Sequence, residues 1–429
     1  MNFNDKTVLV YGYGKSGKSA AKLLNKKGAN VKVYDDDYSK KDYLIFEEWA
    51  ADFKDVDLVV VSPAVSSLKG EILELKLSGV PVISEIELGY ETCAADVIAV
   101  TGTNGKTTTT KLINAVLNAG GINAYELGNI GTPFTEMSDK LKKGDVAVVE
   151  VSSFQLEGVR NFSPEISVLL NIEPDHLDRH KSIECYENLK ARIFAKQSEK
   201  DYLVANVGDD RVKRIIENAT AKIIPFSLKE KCDGGYVLNE SVYFKDEKVI
   251  DVLETPFKGR ELENLLACVC VAKLLKIDNE TILKVVNGFK KPSHRVEFVG
   301  VKNGKNIFDD SKATNVSATI SALEGLTDDT VLILGGSDKG EEYPELFEHF
   351  SKKVKRVLVC GENSKSVMHA ATLCGFRDIK ECSSLEDCVL RALDGEEKTV
   401  LFSPAAKSFD RYSSYAERGD KFKEIVEKL

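Results

Sequence analysis

Short apolar runs typical of strands alternate with longer amphipathic runs typical of helices along almost all of the 429 residues. This alternation is the pattern of α/β domains built on mostly parallel sheets. A chain of this length exceeds one ordinary domain, so two or three are expected. The sequence therefore predicts several α/β domains in series.

Three blocks can be separated along the chain. The first starts with the strand TVLVYG at 7–12 and closes near Cys93. The second opens with VIAVTGTNGKTTT at 97–109, and the segment GFKKPSHRVEF at 288–298 leads into the third. Pro292 ends the helix before it. The predicted domains are residues 1–93, 94–292 and 293–429.

Charge and composition exclude several classes of protein. The net charge is -9 and the pI about 5.4, which argues against a general nucleic-acid or membrane-surface binder. The start, MNFNDKTVLVYGYG, lacks the pattern of a signal peptide, and no apolar window would span a bilayer. Nine cysteines without a CxxC spacing favour reduced thiols. We expect a cytoplasmic protein with no nucleic-acid partner and no membrane insertion.

The first glycine loop, GYGKSG at 12–17, follows a strand and enters a helix, and Asp35 ends the next strand. This is the context of a dinucleotide-binding loop, in which a diphosphate lies at a helix N-terminus. NAD and a UDP-sugar are equally compatible with the loop. Glycines that serve only a tight turn are a further explanation.

The second glycine loop, GTNGKT at 102–107, also lies between a strand and a helix. Small residues allow backbone amides to face a phosphate, Lys106 suits a terminal phosphate, and the hydroxyl of Thr107 suits Mg²⁺. The spacing is shorter than in GxxxxGK[ST]. A lysine in a tight glycine turn has no packing use, so we predict a phosphate-binding loop.

Four further residues could carry chemistry beside this loop. Glu150 ends the strand DVAVVE, where a carboxylate could bind Mg²⁺ or be a surface acid. Asp175 and His176 follow the strand ISVLLN. Their spacing favours a metal-binding role and a structural role equally. Lys190 lies on a predicted helix with apolar neighbours. The local sequence by itself favours a lysine whose carbon chain is buried and whose ammonium reaches the surface.

In the third block, two polar clusters and three strand ends stand out. His294-Arg295 and DDSKATN at 309–315 begin the block. Arginine suits bidentate phosphate contacts, and Asn315 could instead cap a helix. The strands TVLILGGSDKG, RVLVCGE and TVLFSPAAKS end in small or polar residues, and ligands bind at such ends in open α/β sheets.

Together these segments resemble the Mur ligases of peptidoglycan synthesis over nearly the whole chain. The motifs that carry the likeness are GYGKSG (12–17), SPAVS (62–66), GTNGKTT (102–108), GNIGTP (128–133), EVSSFQLE (150–157), NIEPDHLDRH (171–180), the HR pair (294–295), DDSKATN (309–315), GGSDKG (335–340) and SPAAKSFD (403–410). Among these, SSFQLE and DSKATN are the most specific, and they resemble the branch that adds D-glutamate.

The resemblance implies three domains, namely a Rossmann-like N-terminal domain that binds UDP, a central P-loop-type ATPase domain and a C-terminal Rossmann-like domain that binds the amino acid. It implies two small-molecule substrates, UDP-N-acetylmuramoyl-L-alanine and D-glutamate, with ATP and Mg²⁺. ATP would phosphorylate the terminal carboxylate, and the amine of D-glutamate would attack the acyl phosphate. An oligomer is not required.

Site residues are carried over on the same resemblance. The catalytic residues would be Lys106, Glu150, His176 and Lys190. The metal ligands would be Thr107, Glu150, His176 and Lys190, with Lys190 as a carbamate formed from CO₂. ATP would contact Gly102, Thr103, Asn104, Gly105, Lys106, Thr107, Thr108, Asn264, Arg295 and Asp310. UDP-N-acetylmuramoyl-L-alanine would contact Gly14, Lys15, Ser16, Asp35, Ser62, Asn129, Ser152 and Gln155. D-Glutamate would contact Thr314, Lys339, Ser408, Phe409 and Tyr415.

Two positions depart from the family pattern. Ala64 stands where the SPG-type loop usually has glycine, and Lys407 stands where a small residue is common. Four alternatives stay open: a Mur ligase for another amino acid, a folylpolyglutamate synthase, an NAD-linked protein, and a non-catalytic regulator that binds a UDP-sugar. The first block disfavours the synthase, and Lys106 disfavours the regulator. An NAD-linked protein would leave GTNGKT without a role.

Overall fold

A computed structural model describes residues 2–44, 47–50, 52–66, 69–290, 292–324, 328–338, 342–350 and 352–429. The chain forms two compact units. One takes in the chain up to residue 257 together with 261–289, and the other takes in 258–260 and 290–429. Within the described residues, no helix combines the length and the apolar character needed to cross a membrane.

The first unit contains two sheets, of which the N-terminal one is entirely parallel. Its strands are β1 (Thr7–Tyr11), β2 (Asn30–Tyr34), β3 (Glu48–Trp49), β4 (Leu58–Val61) and β5 (Val82–Ser84). Its helices are α1 (Lys15–Lys26), α2 (Gly70–Leu77) and α3 (Glu85–Thr92). The strand order β3-β2-β1-β4-β5 is Rossmann-like and brings the loops after β1 and β4 to the same edge.

The second sheet has nine strands in the order β14-β13-β12-β11-β10-β9-β6-β8-β7. The strands are β6 (Asp96–Thr101), β7 (Ala124–Gly128), β8 (Val146–Glu150), β9 (Ile166–Leu169), β10 (Tyr202–Asn206), β11 (Lys222–Ser227), β12 (Gly235–Leu238), β13 (Ser241–Phe244) and β14 (Glu247–Asp251). The last three form the antiparallel end of an otherwise parallel sheet. The run at 225–260 is short, glycine-bearing and hairpin-like in sequence, and this end of the sheet agrees with that pattern.

Helices cover both faces of the nine-stranded sheet. They are α4 (Lys106–Ala119), α5 (Phe134–Met137), α6 (Ser153–Leu156), α7 (Leu177–His180), α8 (Ile183–Ala191), α9 (Asp210–Ile215), α10 (Leu262–Leu274) and α11 (Asn279–Gly288). Helix α10 packs against α4 and is buried around most of its circumference. An almost wholly apolar helix such as LENLLACVCVAKL requires this central position.

The second unit contains six strands in the order β15-β16-β20-β17-β18-β19. They are β15 (Glu297–Lys302), β16 (Lys305–Asp309), β17 (Thr330–Leu334), β18 (Val354–Val359), β19 (Ile379–Glu381) and β20 (Thr399–Phe402). The helices are α12 (Val316–Glu324), α13 (Pro344–Glu348), α14 (Ser364–Leu373), α15 (Leu385–Leu393) and α16 (Tyr415–Lys428). Strands β16 to β20 pair in parallel, and β15 joins β16 as an antiparallel hairpin.

The predicted α/β class with three domains is confirmed by the three sheets. The run PVISE at 81–85 is strand-like in sequence, but the strand ends at Ser84 and Glu85 begins α3. The side chain of Ser84 accepts a hydrogen bond from the amide of Glu87 and so starts the helix there. The predicted domain boundaries stay predictions.

Glu85 is a buried acid that the sequence did not single out. One carboxylate oxygen accepts hydrogen bonds from the amide and the hydroxyl of Thr135, both at 2.7 Å. The other oxygen, Oε2, has no hydrogen-bond partner among the described residues. Burial raises the pKa of Glu85 from 4.5 to about 7.

The raised pKa makes the stability of the protein depend on pH. The folded state holds this proton up to about pH 7, whereas the unfolded chain releases it near 4.5. The stabilisation is therefore complete below pH 4.5 and is lost as the pH rises to about 7. Glu85→Gln should remove that loss, on the order of 3 kcal/mol, and raise the midpoint of thermal unfolding at pH 8. Parallel pH profiles for the variant and the wild type would contradict this, and exposed Glu74→Gln is the matched control.

Candidate active site

The second glycine loop connects β6 to α4 at the carboxyl edge of the nine-stranded sheet. Gly105 has φ +83°, and a Cβ there would lie 2.1 Å from Oδ1 of Asn264. A Cβ on Gly102 would lie 2.9 Å from the Cβ of Leu170. Both positions therefore need glycine, and the loop lies directly against α10 and the end of β9. Thr108 is buried in the first turn of α4.

Two residues after β9 fix this loop, and neither was predicted as a site residue although both lie in the motif NIEPDHLDRH. Asn171 accepts a hydrogen bond at 2.8 Å from the amide of Asn104 through its side chain. Glu173 accepts one at 2.8 Å from the side-chain amide of Asn104, while its own amide donates to the hydroxyl of Thr103 at 3.0 Å. Their position at the carboxyl end of β9, next to β6, was the signal that could have identified them.

Two lysines converge on the same backbone carbonyl of the loop. Lys106 donates to the carbonyl oxygens of Gly102 at 2.8 Å and Thr103 at 2.7 Å. Lys190 donates to the Gly102 oxygen at 2.7 Å from α8, and its Nζ lies 4.5 Å from the ring centre of Tyr186. The structure thus brings together the two lysines that the sequence predicted, although they lie far apart in the chain.

Lys190 is not the surface lysine that its residues alone favoured. Its side chain is fully buried, with a relative exposure of 1%. Burial first, and then the charge of Lys106, hold the pKa of Lys190 well below its ordinary value, against the opposing effect of Asp175. A lowered pKa favours the neutral amine, which is the form that acts as a nucleophile.

Thr107 and Glu150, the predicted Mg²⁺ ligands, are neighbours. The hydroxyl of Thr107 donates to one carboxylate oxygen of Glu150 at 2.8 Å, and the side-chain amide of Asn129 donates to the other at 2.8 Å. Glu150 is 2% exposed, and both of these partners are neutral. Neither partner supplies a positive charge to this buried carboxylate, and hydroxyl and carboxylate oxygens suit Mg²⁺. The residues present therefore fit the metal.

His176 lies in the turn before α7 and has φ +56°. Its Nε2 is 3.6 Å from a carboxylate oxygen of Asp175, and its ring centre is 4.7 Å from that of Phe154. The positive φ of a non-glycine residue is uncommon and points to a constrained turn.

The backbone of the first glycine loop is packed so closely that a side chain would not fit at Gly17. A Cβ on Gly17 would lie 1.9 Å from the carbonyl oxygen of Gly12. The hydroxyl of Ser62, after β4, donates to that same oxygen at 2.7 Å. Lys15 donates to the carbonyl of Gly131, from the GNIGTP motif. Gly14 precedes α1 and Ser16 lies in its first turn, so three predicted substrate residues form one exposed edge.

Asp35 follows β2, and its carboxylate contacts neighbouring residues of the N-terminal sheet and its loops. It accepts hydrogen bonds from the amides of Tyr13 at 2.6 Å and Asp37 at 2.9 Å, and pairs with Lys40 at 3.0 Å. Burial works to raise the pKa of Asp35, but these donors outweigh it and leave the pKa below its ordinary value. The carboxylate is therefore an anion at neutral pH.

Ser152 and Gln155 form a capping box at the start of α6. The amide of Ser152 donates to Oε1 of Gln155 at 2.9 Å, and the amide of Gln155 donates to the Ser152 hydroxyl at 3.3 Å. The pair therefore fixes the chain directly after Glu150. Ser152 and Gln155 have this structural role, and their contact with the substrate stays a prediction.

The second unit carries the remaining predicted ATP residues. Asp310 follows β16, accepts from the hydroxyl of Ser403 at 2.7 Å and from the amide of Val296 at 3.2 Å. Burial raises the pKa of Asp310 to about 7, and the charge of Arg295 works against that rise. The ring of the preceding His294 pairs with Asp309 at 2.6 Å.

The predicted D-glutamate residues are spread over the carboxyl edge of the six-stranded sheet. Ser408 is buried, whereas Phe409 is 64% exposed. Tyr415 begins α16, and its ring lies under the ammonium of Lys312 at 4.2 Å. Thr314 lies in the loop before α12 and is half-buried. Lys339 lies outside the described residues.

Arg418 is a buried residue of the second unit that sequence reasoning missed. From α16 it donates to the hydroxyl of Ser311 at 3.0 Å, the carbonyl of Ser311 at 2.8 Å and the carbonyl of Ala406 at 2.9 Å. Burial lowers its pKa to about 10. Arg418 therefore connects the DSKATN and SPAAKS segments. The amphipathic pattern of its helix did not predict that this residue is buried.

A strand–glycine loop–helix at the edge of a mostly parallel sheet defines a P-loop-type α/β protein. Comparison with known families makes the class narrower. The model of the Mur ligase middle domain matches residues 100–272, and that of the Mur ligase glutamate ligase domain matches 294–406.

Full-length relatives agree with the domain models. A UDP-N-acetylmuramoylalanine–D-glutamate ligase from Caldanaerobacter subterraneus is 38% identical over 99% of each chain, and one from Bacillus mycoides is 37% identical over 100% of this chain and 98% of its own. The chain belongs to the Mur ligase family, in the group of the D-glutamate ligases.

Solved structures show the same fold at lower identity. A pseudomurein peptide ligase from Methanothermus fervidus has a TM-score of 0.62 at 21% identity, and covers 99% of this chain and 100% of its own. A UDP-N-acetylmuramate–alanine ligase from Thermotoga maritima has a TM-score of 0.59 at 17% identity, with 99% of both chains covered.

Proposed function

We propose that this protein joins D-glutamate to UDP-N-acetylmuramoyl-L-alanine at the expense of ATP, with Mg²⁺, in the synthesis of peptidoglycan precursors. The observation that carries the proposal is the cluster around the second glycine loop, in which Lys106, the Thr107–Glu150 pair and Lys190 meet at one sheet edge. The full-length relatives support the choice of substrates.

The chemistry explains the need for ATP. A carboxylate is a poor electrophile, and its oxygen is a poor leaving group. Transfer of the γ-phosphoryl group from ATP to a carboxylate oxygen gives an acyl phosphate and ADP. The neutral amine of D-glutamate then attacks the acyl carbon, loses a proton, and phosphate leaves with the original carboxylate oxygen.

The residues of the first unit divide this work. Lys106 would leave the two loop carbonyls and contact the γ-phosphate, because its ammonium lies within the glycine loop and is held there by uncharged acceptors. Thr107 and Glu150 would hold one Mg²⁺ and His176 a second, and these ions would supply positive charge beside the transferring phosphoryl group. The loop from Gly102 to Gly105 would contact the phosphates through groups other than the amides of Thr103 and Asn104, which donate to Asn171 at 2.9 and 2.8 Å. We add Thr108, Asn264, Arg295 and Asp310 to the ATP contacts from the family resemblance.

Lys190 would carry a carbamate. The neutral amine that burial favours can add to CO₂, forming an N–C bond and losing a proton. The product is an anion with two oxygens, which suits Mg²⁺ where an ammonium would repel it. The carbamate nitrogen keeps one hydrogen, which could still be donated to the carbonyl of Gly102.

We place the two other substrates at the sheet edges already described. The UDP-linked substrate would run from the loop of Gly14, Lys15 and Ser16 towards Asn129. D-Glutamate would bind in the second unit, near Ser408 and Tyr415. Since ATP and UDP-linked precursors are cytoplasmic, we assign the enzyme to the cytoplasm, acting without nucleic acid.

Phosphate release from ATP tests the proposal. With UDP-N-acetylmuramoyl-L-alanine present, D-glutamate should drive turnover. Turnover with L-glutamate should be about tenfold to a hundredfold slower, because each misplaced charge-assisted contact costs about 1.5–3 kcal/mol. Omitting the UDP-linked substrate is the control. Equal turnover with L-lysine or diaminopimelate would move the chain to another branch.

A further inference from the structure

Arg179 makes four hydrogen bonds to two distant parts of the first unit. Its Nε and one terminal nitrogen donate to the two carboxylate oxygens of Glu157, each at 2.9 Å. Its terminal nitrogens also donate to the carbonyl oxygens of Pro63 and Val65, each at 3.0 Å. The guanidinium carbon lies 4.3 Å from the ring centre of Phe154. Four bonds in one plane define the geometry of this side chain closely.

These contacts join the segment after β4 to the two segments that carry Glu157 and His176. Pro63 and Val65 follow Ser62, whose hydroxyl contacts the carbonyl of Gly12 in the first glycine loop. On the other side, the backbone amide of Arg179 donates to the carbonyl of His176 at 3.0 Å. Glu157 directly follows α6. Arg179 therefore links the UDP edge of the N-terminal sheet to the Mg²⁺ edge of the nine-stranded sheet.

A substrate held at both edges needs a fixed span between them. Binding energy from a remote group raises the rate only if it places the reacting group correctly. A misplacement of about 1 Å can cost about 100-fold in rate. A flexible or displaced loop at 62–66 would thus let UDP bind while the distal carboxylate misses the γ-phosphate.

We propose that Arg179, with Glu157, is a positioning residue that sets the span between the UDP-binding loop and the site of phosphoryl transfer. This inference rests on the proposed function. Lysine could not replace the arginine, because one ammonium cannot make the bidentate contact with Glu157 and also reach two carbonyls in fixed directions.

The test compares two substrates of different length in Arg179→Lys. With UDP-N-acetylmuramoyl-L-alanine, kcat should fall about 100-fold, while the Kd for UDP and the KM for ATP stay within about twofold of the wild type. With N-acetylmuramoyl-L-alanine, which lacks the uridine diphosphate, the variant and the wild type should react at equal rates within about threefold, since no span is used.

Two further variants make the result decisive. Glu157→Gln keeps the shape of the partner and should show the same loss of kcat on the long substrate alone. It serves as the test if Arg179→Lys folds poorly. Arg192→Lys is the matched control, because Arg192 donates to the carbonyls of Leu156 and Glu157 at 3.1 and 2.8 Å without such bonds to Pro63 or Val65. It should behave as the wild type with both substrates.

Two outcomes separate the inference from the function on which it rests. An equal loss on the long and the short substrate in Arg179→Lys and Glu157→Gln would show a general structural role and overturn the inference. If the wild type does not turn over UDP-N-acetylmuramoyl-L-alanine with D-glutamate, the proposed function itself fails.

Discussion

Lys190→Ala should fold normally and lose about 10³-fold of the ligase activity, the scale expected when a preorganised charge is removed from a buried site. The side chain is fully buried and reaches the same carbonyl as Lys106. Its lowered pKa favours the neutral amine that carbamate formation requires. Loss of the carbamate would remove one anionic oxygen ligand from an otherwise intact metal site.

Added carboxylate should restore part of this activity. Formate or acetate fits the space of the missing side chain and supplies oxygens in its place, so recovery should saturate with concentration. Chloride at matched ionic strength should not substitute. The wild type should lose activity when CO₂ is stripped and regain it with bicarbonate.

The matched control for this experiment is Lys196→Ala, an exposed lysine shortly after α8. It should keep wild-type activity and show no response to formate. A Lys190→Ala variant with near wild-type turnover, measured as ADP released per enzyme, would contradict the proposed role of Lys190.

Lys106→Ala should reduce ATP-dependent turnover by about 10³-fold or more, because a positioned cation is lost from a reaction that gathers negative charge. Its ammonium donates to the carbonyls of Gly102 and Thr103, which are uncharged acceptors that it can exchange for phosphate oxygens. Lys106→Arg should recover little, since a wide planar fork does not replace a compact ammonium in a tight loop.

Lys111→Ala is the control for this prediction. Lys111 lies on the same helix, α4, and pairs with Glu126 at 3.0 Å in a half-buried position. Turnover and the ATP dissociation constant should match the wild type there. Lys106→Ala with turnover within tenfold of the wild type would remove Lys106 from the phosphate site.

Much of the fold could be predicted because its signals are local. Each glycine loop lies between a strand and a helix, as the sequence indicated. The hairpin of β15 and β16 was missed, since no residue of β15 is fully buried and its sequence, EFVGVK, gives only a weak strand pattern. Its turn, Asn303-Gly304, has φ of +50° and +75° and was the available signal.

The site was predicted less completely, because burial and pairing are tertiary properties. Thr107 and Glu150 were predicted to act together, and the register of β6 and β8 explains why they meet. The burial of Lys190, by contrast, depends on how α8 packs against the loop. Glu85 and Arg418 look like ordinary surface residues in their helices, and only the packed structure shows that they are buried.

The family result also narrows the open alternatives. A full-length match at 37–38% identity to D-glutamate ligases supports our proposal that the first glycine loop binds UDP and that GTNGKT binds ATP. An NAD-linked protein would leave the Thr107–Glu150 pair and the buried Lys190 unexplained.

The central claim is tested most directly by the product formed in competition. Wild-type protein, ATP, Mg²⁺ and UDP-N-acetylmuramoyl-L-alanine are incubated with equal amounts of D-glutamate, L-glutamate, L-alanine, L-lysine and diaminopimelate. Mass spectrometry and chiral analysis of the hydrolysed product then identify the amino acid added. We predict a single product that contains D-glutamate, formed one-for-one with ADP and phosphate. A product that carries another amino acid, or no product at all, would contradict the account.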